Sequence, residues 1–406
     1  MKSIFFLLLL SYLLFTSHFS IACTTTVISG KATQDGRPLL FKHRDTGDLQ
    51  NKIMFFDDGE YEYIGLVNSK DIEGKEVWSG CNSAGFAIMN SATYNQNLND
   101  TTSLKDREGY VMKQALQECA TLKDFEELLK RLPRPLGVDA NFGVIDASGG
   151  AAYYETNNYN FTKFDANDPA TAPFGYIIRT NYAFTGERHQ DYGLIRYQTA
   201  NEMFEQAYAS NSLSHKFLLQ DVSRSLNHSL TKINLRNQIP KTSDTKTFVN
   251  LRDFIPRYSS AATTCIQGVK NGESPEFTTM WTILGFQLSS IAIPTWVKGG
   301  PELPKILIAD STGNAPLCDK ALILKKQIFP LSRGSYKYYI DLAKVLNQEN
   351  SGILQQLIPL ENSILYETKQ KMENWLKEEP EKNTIHSYYH WLDEIVKKSY
   401  QELFGI

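Results

Sequence analysis

Beyond its first two dozen residues the sequence has no apolar run approaching the roughly 18 residues that a membrane-spanning helix needs, so no membrane span is expected. It also lacks any long block of one charge sign. Lys and Arg number 42 against 45 Asp and Glu, for a formal charge of −3, which argues against a nucleic-acid partner. No internal repeat is visible. The two histidines one helical turn apart, His386 and His390 in "HSYYH", lack the glutamate that follows the first histidine of zinc proteases, and they read as a packing or surface pair. The "DASGG" stretch at 146–150 lacks the strand-to-helix setting of a phosphate loop and reads as a turn. Neither a metal nor a cofactor is therefore expected. Cysteine is scarce, with five in 406 residues. In an oxidising compartment Cys81, Cys119, Cys265 and Cys318 form an even set open to bridging, with a pairing that spacing alone does not give. Cys23 is then the odd thiol.

What is present is enough for a large folded body. Apolar residues make up 42% and aromatic residues 12% of the chain, ample for one large domain or two. The first 22 residues combine a small positive start, the apolar "IFFLLLLSYLLF" and a polar exit with Ser20 and Ala22 before the cut, the pattern of a signal peptide. Export is expected, to the periplasm or the medium if the source is bacterial. The sequons at Asn99, Asn160 and Asn227 would be glycosylated only in a eukaryotic host.

Cleavage after Ala22 would make Cys23 the first residue of the mature chain. Three roles are open to it: catalyst, lipid anchor or half of a disulfide. A lipoprotein signal usually has Leu three positions ahead of the cysteine, where this chain has Ser20, and acylation would block both amine and thiol. As a catalyst, a terminal cysteine carries a sulfur nucleophile and an α-amine whose ordinary pKa is about 7.7–8.0, so one residue supplies both nucleophile and base.

Short β-rich runs broken by Asp/Gly turns follow from Cys23 to about Tyr94, then helical spacing over 108–131, with Thr121 three residues before Asp124 as a helix start. A second strand block covers about 141–184, a second helical block about 190–226, and strands return in "RDFIPRYSSAATTCIQGV" and "FTTMWTILGFQLSSIAIPTWV". That order suits an α+β fold, a four-layer αββα sandwich of two antiparallel sheets with helices outside. From Tyr336 on the chain is mostly helical and charged. The expected division is a leader over 1–22, a catalytic domain over 23–335 and a helical extension over 336–406.

The opening "CTTTVISGKATQDGRPLLFKHRD" resembles that of the cysteine-type N-terminal nucleophile hydrolases, which have a terminal Cys-Thr strand, a tight Asp-Gly turn and a returning strand that ends in a basic residue and an aspartate. The group includes choloylglycine hydrolases, penicillin V acylases and the isopenicillin-N acyltransferases, and a cysteine dipeptidase group is similar as well. The likeness continues through "GCNSAGFAIMNSA", "FGVIDASGGAAYYET" and "GYIIRTNYAF", over most of 23–290. It implies an exported hydrolase that cleaves a linear amide C–N bond of a small molecule through a thioester on Cys23. The alternatives are an acyltransferase, or a lipid-anchored binding protein without catalysis. The resemblance implies that Lys42 sits near the thiol and favours its thiolate, that Asp45 holds the terminal amine, and that Asn181 positions the nucleophile or the oxyanion. Asn90 would be a second oxyanion donor, and Arg257 would match a late arginine of the family. Assembly into a homo-oligomer stays open.

Overall fold

The structure is a computed structural model that describes residues 22–187 and 192–406; the expected leader lies outside these residues except for its last, Ala22. All counts below refer to the described residues. The strands, in chain order, are β1 (Ala22–Ile28), β2 (Leu39–Asp45), β3 (Asn51–Phe56), β4 (Tyr63–Asn68), β5 (Ser79–Asn82), β6 (Ala87–Ala92), β7 (Ala140–Ile145), β8 (Ala151–Thr156), β9 (Phe161–Asp165) and β10 (Tyr176–Arg179). They continue with β11 (Asn227–His228), β12 (Ile233–Asn234), β13 (Phe248–Asn250), β14 (Ser260–Gln267), β15 (Thr279–Leu284), β16 (Ala292–Thr295) and β17 (Tyr339–Asp341).

β3 to β9 follow one another as a seven-stranded antiparallel meander, and a six-stranded antiparallel sheet has the order β10-β1-β2-β14-β15-β16. β1 turns into β2 at Asp35-Gly36, where Gly36 has φ +77, a conformation that costs glycine little. The two sheets pack face to face through β1 and β2 against β6 and β7. Gly143 in β7 leaves room for this packing, since a Cβ there would lie 2.3 Å from Met89 of its own sheet and 2.9 Å from Val27 of the other.

Helices cover both outer faces. α1 (Glu108–Glu118) and α2 (Leu122–Arg131) lie on the seven-stranded sheet, where Met112, Leu116, Phe125 and Leu129 pack on Phe86, Ile88, Phe142 and Tyr154. α2 starts where Thr121 and Asp124 cap each other reciprocally. On the outside of the six-stranded sheet lie α3 (Leu194–Ala209), α4 (Pro316–Ile328), α5 (Ile353–Trp375) and α6 (Lys382–Phe404). The α+β sandwich of two antiparallel sheets between helical layers is thus the architecture of the chain. α4, in a stretch the sequence reading leaves unassigned, opens with Pro316, whose fixed φ and missing N–H suit a first helical turn.

The segment from Tyr336 shares the main core. Leu357, Ile364, Tyr389 and Val396 belong to the same apolar cluster as Ile283 and Ile293, and β17 pairs with β13. Two buried polar ties bind it further. Glu361 of α5 accepts from Arg224 at 2.6 and 2.7 Å and from the Ala292 N–H at 2.7 Å, while the Tyr389 hydroxyl accepts from the Trp296 N–H at 2.9 Å. All five cysteines are free thiols and all are buried.

Candidate active site

The start of β1 lies beside the end of β2, with Ala22 opposite Asp45, Cys23 opposite Arg44, Thr24 opposite His43 and Thr25 opposite Lys42. Because side chains alternate along a strand, this register sorts the residues onto two faces. Cys23, Thr25, Lys42 and Arg44 turn toward the other sheet; Thr24, His43 and Asp45 turn toward the helices. Lys42 and Asp45, three residues apart, therefore act from opposite sides of the sheet.

On the inner face a cleft of about 720 Å³ opens between the sheets, with Cys23, Lys42, Arg44, Trp78, Asn90 and Glu108 in its wall. Lys42, only 1% exposed, donates to Asn90 Oδ1 at 2.6 Å and to the Trp78 carbonyl at 2.7 Å. Burial pushes its ammonium down to about 7, the neighbouring Cys23 side chain acting in the opposite direction. Arg44 donates to Asn51 Oδ1 at 2.6 Å and Asn68 Oδ1 at 3.0 Å, with its guanidinium 5.0 Å from the centre of the Trp78 ring. Burial pushes the carboxyl of Glu108 up to about 7, even though Glu108 Oε1 accepts from the Asp139 N–H.

On the outer face Asp45 is wholly buried and fully engaged. Arg257 Nε lies 3.1 Å from Asp45 Oδ2 and Arg257 Nη2 pairs with the same oxygen, while the Ser260 hydroxyl donates to Oδ1 at 2.5 Å. Burial alone would raise this carboxyl, but Arg257 and His43 outweigh it and hold Asp45 well below the usual carboxylate range. Lys325 of α4 secures the turn that carries Arg257 and Ser260, donating to the carbonyls of Tyr258 and Ser260.

The nitrogen of Cys23 is fixed separately. It donates to Asn181 Oδ1 at 2.9 Å, and Arg196 of α3 donates to the same oxygen at 2.7 Å. Two donors on one oxygen set the orientation of the amide, whose Nδ2 donates to the Ala92 carbonyl at 2.9 Å. Arg196 also binds the Cys23 carbonyl and Thr24 Oγ1. Gly193 makes room for it, since a Cβ there would fall 2.2 Å from Arg196 Nη2.

Of the residues singled out from sequence, Cys23, Lys42 and Asn90 meet in the cleft, Asn181 grips the nitrogen of Cys23, and Asp45 pairs with Arg257 behind the strand. Arg44, Arg196, Glu108 and Ser260 escaped the sequence reading. Arg196 gave no local signal, being one arginine in a helix whose contact with Cys23 spans 173 residues. Arg44 sits in "FKHRD" between two selected residues, and only the alternation of β2 tells that it shares a face with Lys42. His386 and His390 both contact Glu302, at 3.1 and 3.2 Å, and dock α6 on the turn after β16. No cluster of metal-ligating side chains occurs among the described residues.

No family model matches the sequence, and none of the curated proteins does. Solved structures similar to this chain include an N-acylethanolamine-hydrolyzing acid amidase ortholog from Caenorhabditis elegans, at 13% identity over 62% of this chain and 93% of that one, with a TM-score of 0.42. A variant of conjugated bile acid hydrolase from Clostridium perfringens is similar at 13% identity over 68% of this chain and 92% of that one, TM-score 0.36. Penicillin V acylase from Agrobacterium tumefaciens is similar at 11% identity over 68% and 86% of the two chains, TM-score 0.34.

Proposed function

We propose that the mature protein, beginning at Cys23, hydrolyses a linear amide C–N bond through a thioester on Cys23. The observation that carries this reading is the two-sided hold on Cys23: its nitrogen rests on Asn181 while the residue lines a cleft between the sheets beside Lys42 and Arg44. In the intact chain that nitrogen is a peptide N–H. Removal of the preceding residues turns it into an amine at the same place, next to its own sulfur.

The amine takes the thiol proton as sulfur attacks the carbonyl carbon, then passes that proton to the departing nitrogen, so amine product leaves and the acyl group stays as a thioester. Water attacks the thioester with the same amine as base, and its proton returns to sulfur as the acid leaves. The charge built on the carbonyl oxygen needs donors fixed in advance. Asn90, its Oδ1 held by Lys42, is oriented to offer its NH₂ group. Burial of Cys23, 2% exposed with its carbonyl bound by Arg196, weighs against the lipid-anchor reading, which needs this residue free to reach a bilayer.

The test is a screen of amides with purified protein starting at Cys23, with an acyl-thioester mass sought on that residue after a rapid acid quench. Turnover that persists in Cys23→Ala would overturn the proposal. Added hydroxylamine separates water from amine as acyl acceptor. We place the enzyme outside the cytoplasm on the strength of the leader expected over 1–22, which the mass of the mature N-terminus checks.

A further inference from the structure

Arg44 is a guanidinium at 4% exposure whose side-chain hydrogen-bond partners, Asn51 and Asn68, are both neutral. Lys42, two residues earlier on the same strand face, is in the same condition, with a carbonyl and an amide oxygen as its acceptors. Buried charges are ordinarily paired, because the cost of desolvation is otherwise uncompensated. Here two basic side chains stand side by side with no ion pair among the described residues. Of the nearby carboxylates, Asp48 pairs with Lys70 at 2.8 Å and Asp45 faces the helices and pairs with Arg257, while Glu76 and Glu108 line the same cleft and act on Arg44 and Lys42 across it, without a direct ion pair among the described residues. Arg44 keeps donors beyond the two that the asparagines take, in a cleft that must admit a substrate.

We propose that Arg44 is a specificity-determining residue that receives a carboxylate of the substrate, so that the enzyme acts on amides bearing a carboxylate a few bonds from the scissile carbonyl. This rests on the amidase reading above. The short distance follows from the register: Cys23 and Arg44 are directly opposed on neighbouring strands, which sets their Cα atoms about 5 Å apart, and both line the same cleft. A planar guanidinium already held on two sides by asparagines is preorganised for a carboxylate, which it can meet through two parallel hydrogen bonds. The flanking Trp78 ring, 5.0 Å from the guanidinium and 5.8 Å from the Lys42 ammonium, closes one side of this subsite to water.

The experiment compares two pairs of amides. In one pair an N-acyl amino acid is set against its carboxamide, which places the charge on the amine side. In the other a dicarboxylic acid monoamide is set against its methyl ester, which places it on the acyl side. One charged member should exceed its neutral partner at least tenfold in kcat/KM, and that ratio should fall toward one in Arg44→Gln while Arg44→Lys keeps part of it. The ratio is insensitive to a general loss of activity in the variants. Calorimetric binding of the same compounds to Cys23→Ala protein gives an arm independent of turnover: the charged member should bind at least tenfold more tightly, and a failure to hydrolyse any amide would then sink the amidase reading alone. Equal handling of charged and neutral partners by the parent protein, or a preference that survives in Arg44→Gln, overturns the assignment of Arg44.

Discussion

Asn181 Oδ1 lies 2.9 Å from the nitrogen of Cys23, across 158 residues of sequence. The amide thus presents its acceptor, not its donor, to Cys23. Asn181→Ala should slow amide turnover on the order of 10²-fold, as misplaced reacting groups do. It should slow alkylation of Cys23 by a cysteine-directed reagent together with turnover, because the residue that bears the sulfur loses its anchor. Alkylation at the parental rate with turnover lost would instead make Asn181 an oxyanion donor.

Arg196 and Gly193 should behave as one unit. Gly193 has φ +84, and a Cβ there would collide with the Arg196 guanidinium, so Gly193→Ala should reproduce the kinetic defect of Arg196→Met. Combining the two changes should add little, and a double-variant cycle in kcat measures that coupling.

Asp45 and Arg257 form the ion pair on the outer face of β2, with Asp45 wholly buried and the Arg257 side chain 17% exposed. Asp45→Asn should cost toward the lower end of the about 3–5 kcal/mol typical of breaking a buried pair, and Asp45→Asn with Arg257→Gln should recover part of it. The carboxyl is held below its unfolded value, so its contribution is present above about pH 4 and is lost as pH falls through the folded value. Urea unfolding at pH 3 and pH 7 should therefore show a smaller gap between parent and Asp45→Asn at the lower pH.

Lys42 titrates at about 7 in the folded protein. If the charged form serves the reaction, kcat/KM should decline above that pH, and Lys42→Arg should shift the decline upward, since guanidinium keeps its proton. A decline at the same pH in Lys42→Arg would assign the alkaline limb to another group.

Glu108 carries a carboxyl raised by burial from 4.5 to about 7, so the folded state binds more protons than the unfolded state between those values and stability falls as pH rises through the window. Glu108→Gln removes this penalty. It should stabilise the protein at pH 8 by up to about 3 kcal/mol and have little effect at pH 4, as chemical denaturation at the two pH values will tell.

Much of the scaffold was legible because its signals are local. Thr121 and Asp124 announced α2 by a cap that involves only neighbours, and Asp35-Gly36 marked the β1–β2 turn by backbone geometry. α4 was harder to read, as its apolar residues lie among lysines on a short stretch between loops. The two histidines read from the sequence as a packing or surface pair grip Glu302, a partner 84 and 88 positions away in the chain.

The sequence by itself determined which residues stand on β1 and β2, and through the two-residue period of a strand it also determined that Lys42 and Arg44 share a face while Asp45 takes the other. Its cysteine after a small-residue exit and its Asp-Gly turn pointed to the chemistry of a terminal thiol. Only the tertiary structure decided what each of those side chains meets. Asn181 reaches Cys23 because β10 pairs with β1, Arg257 reaches Asp45 because β14 lies along β2, and Arg196 reaches both Cys23 and Asn181 because α3 covers that edge of the sheet. Such contacts depend on strand order and sheet packing, which the burial of the whole core selects and no short stretch of residues encodes.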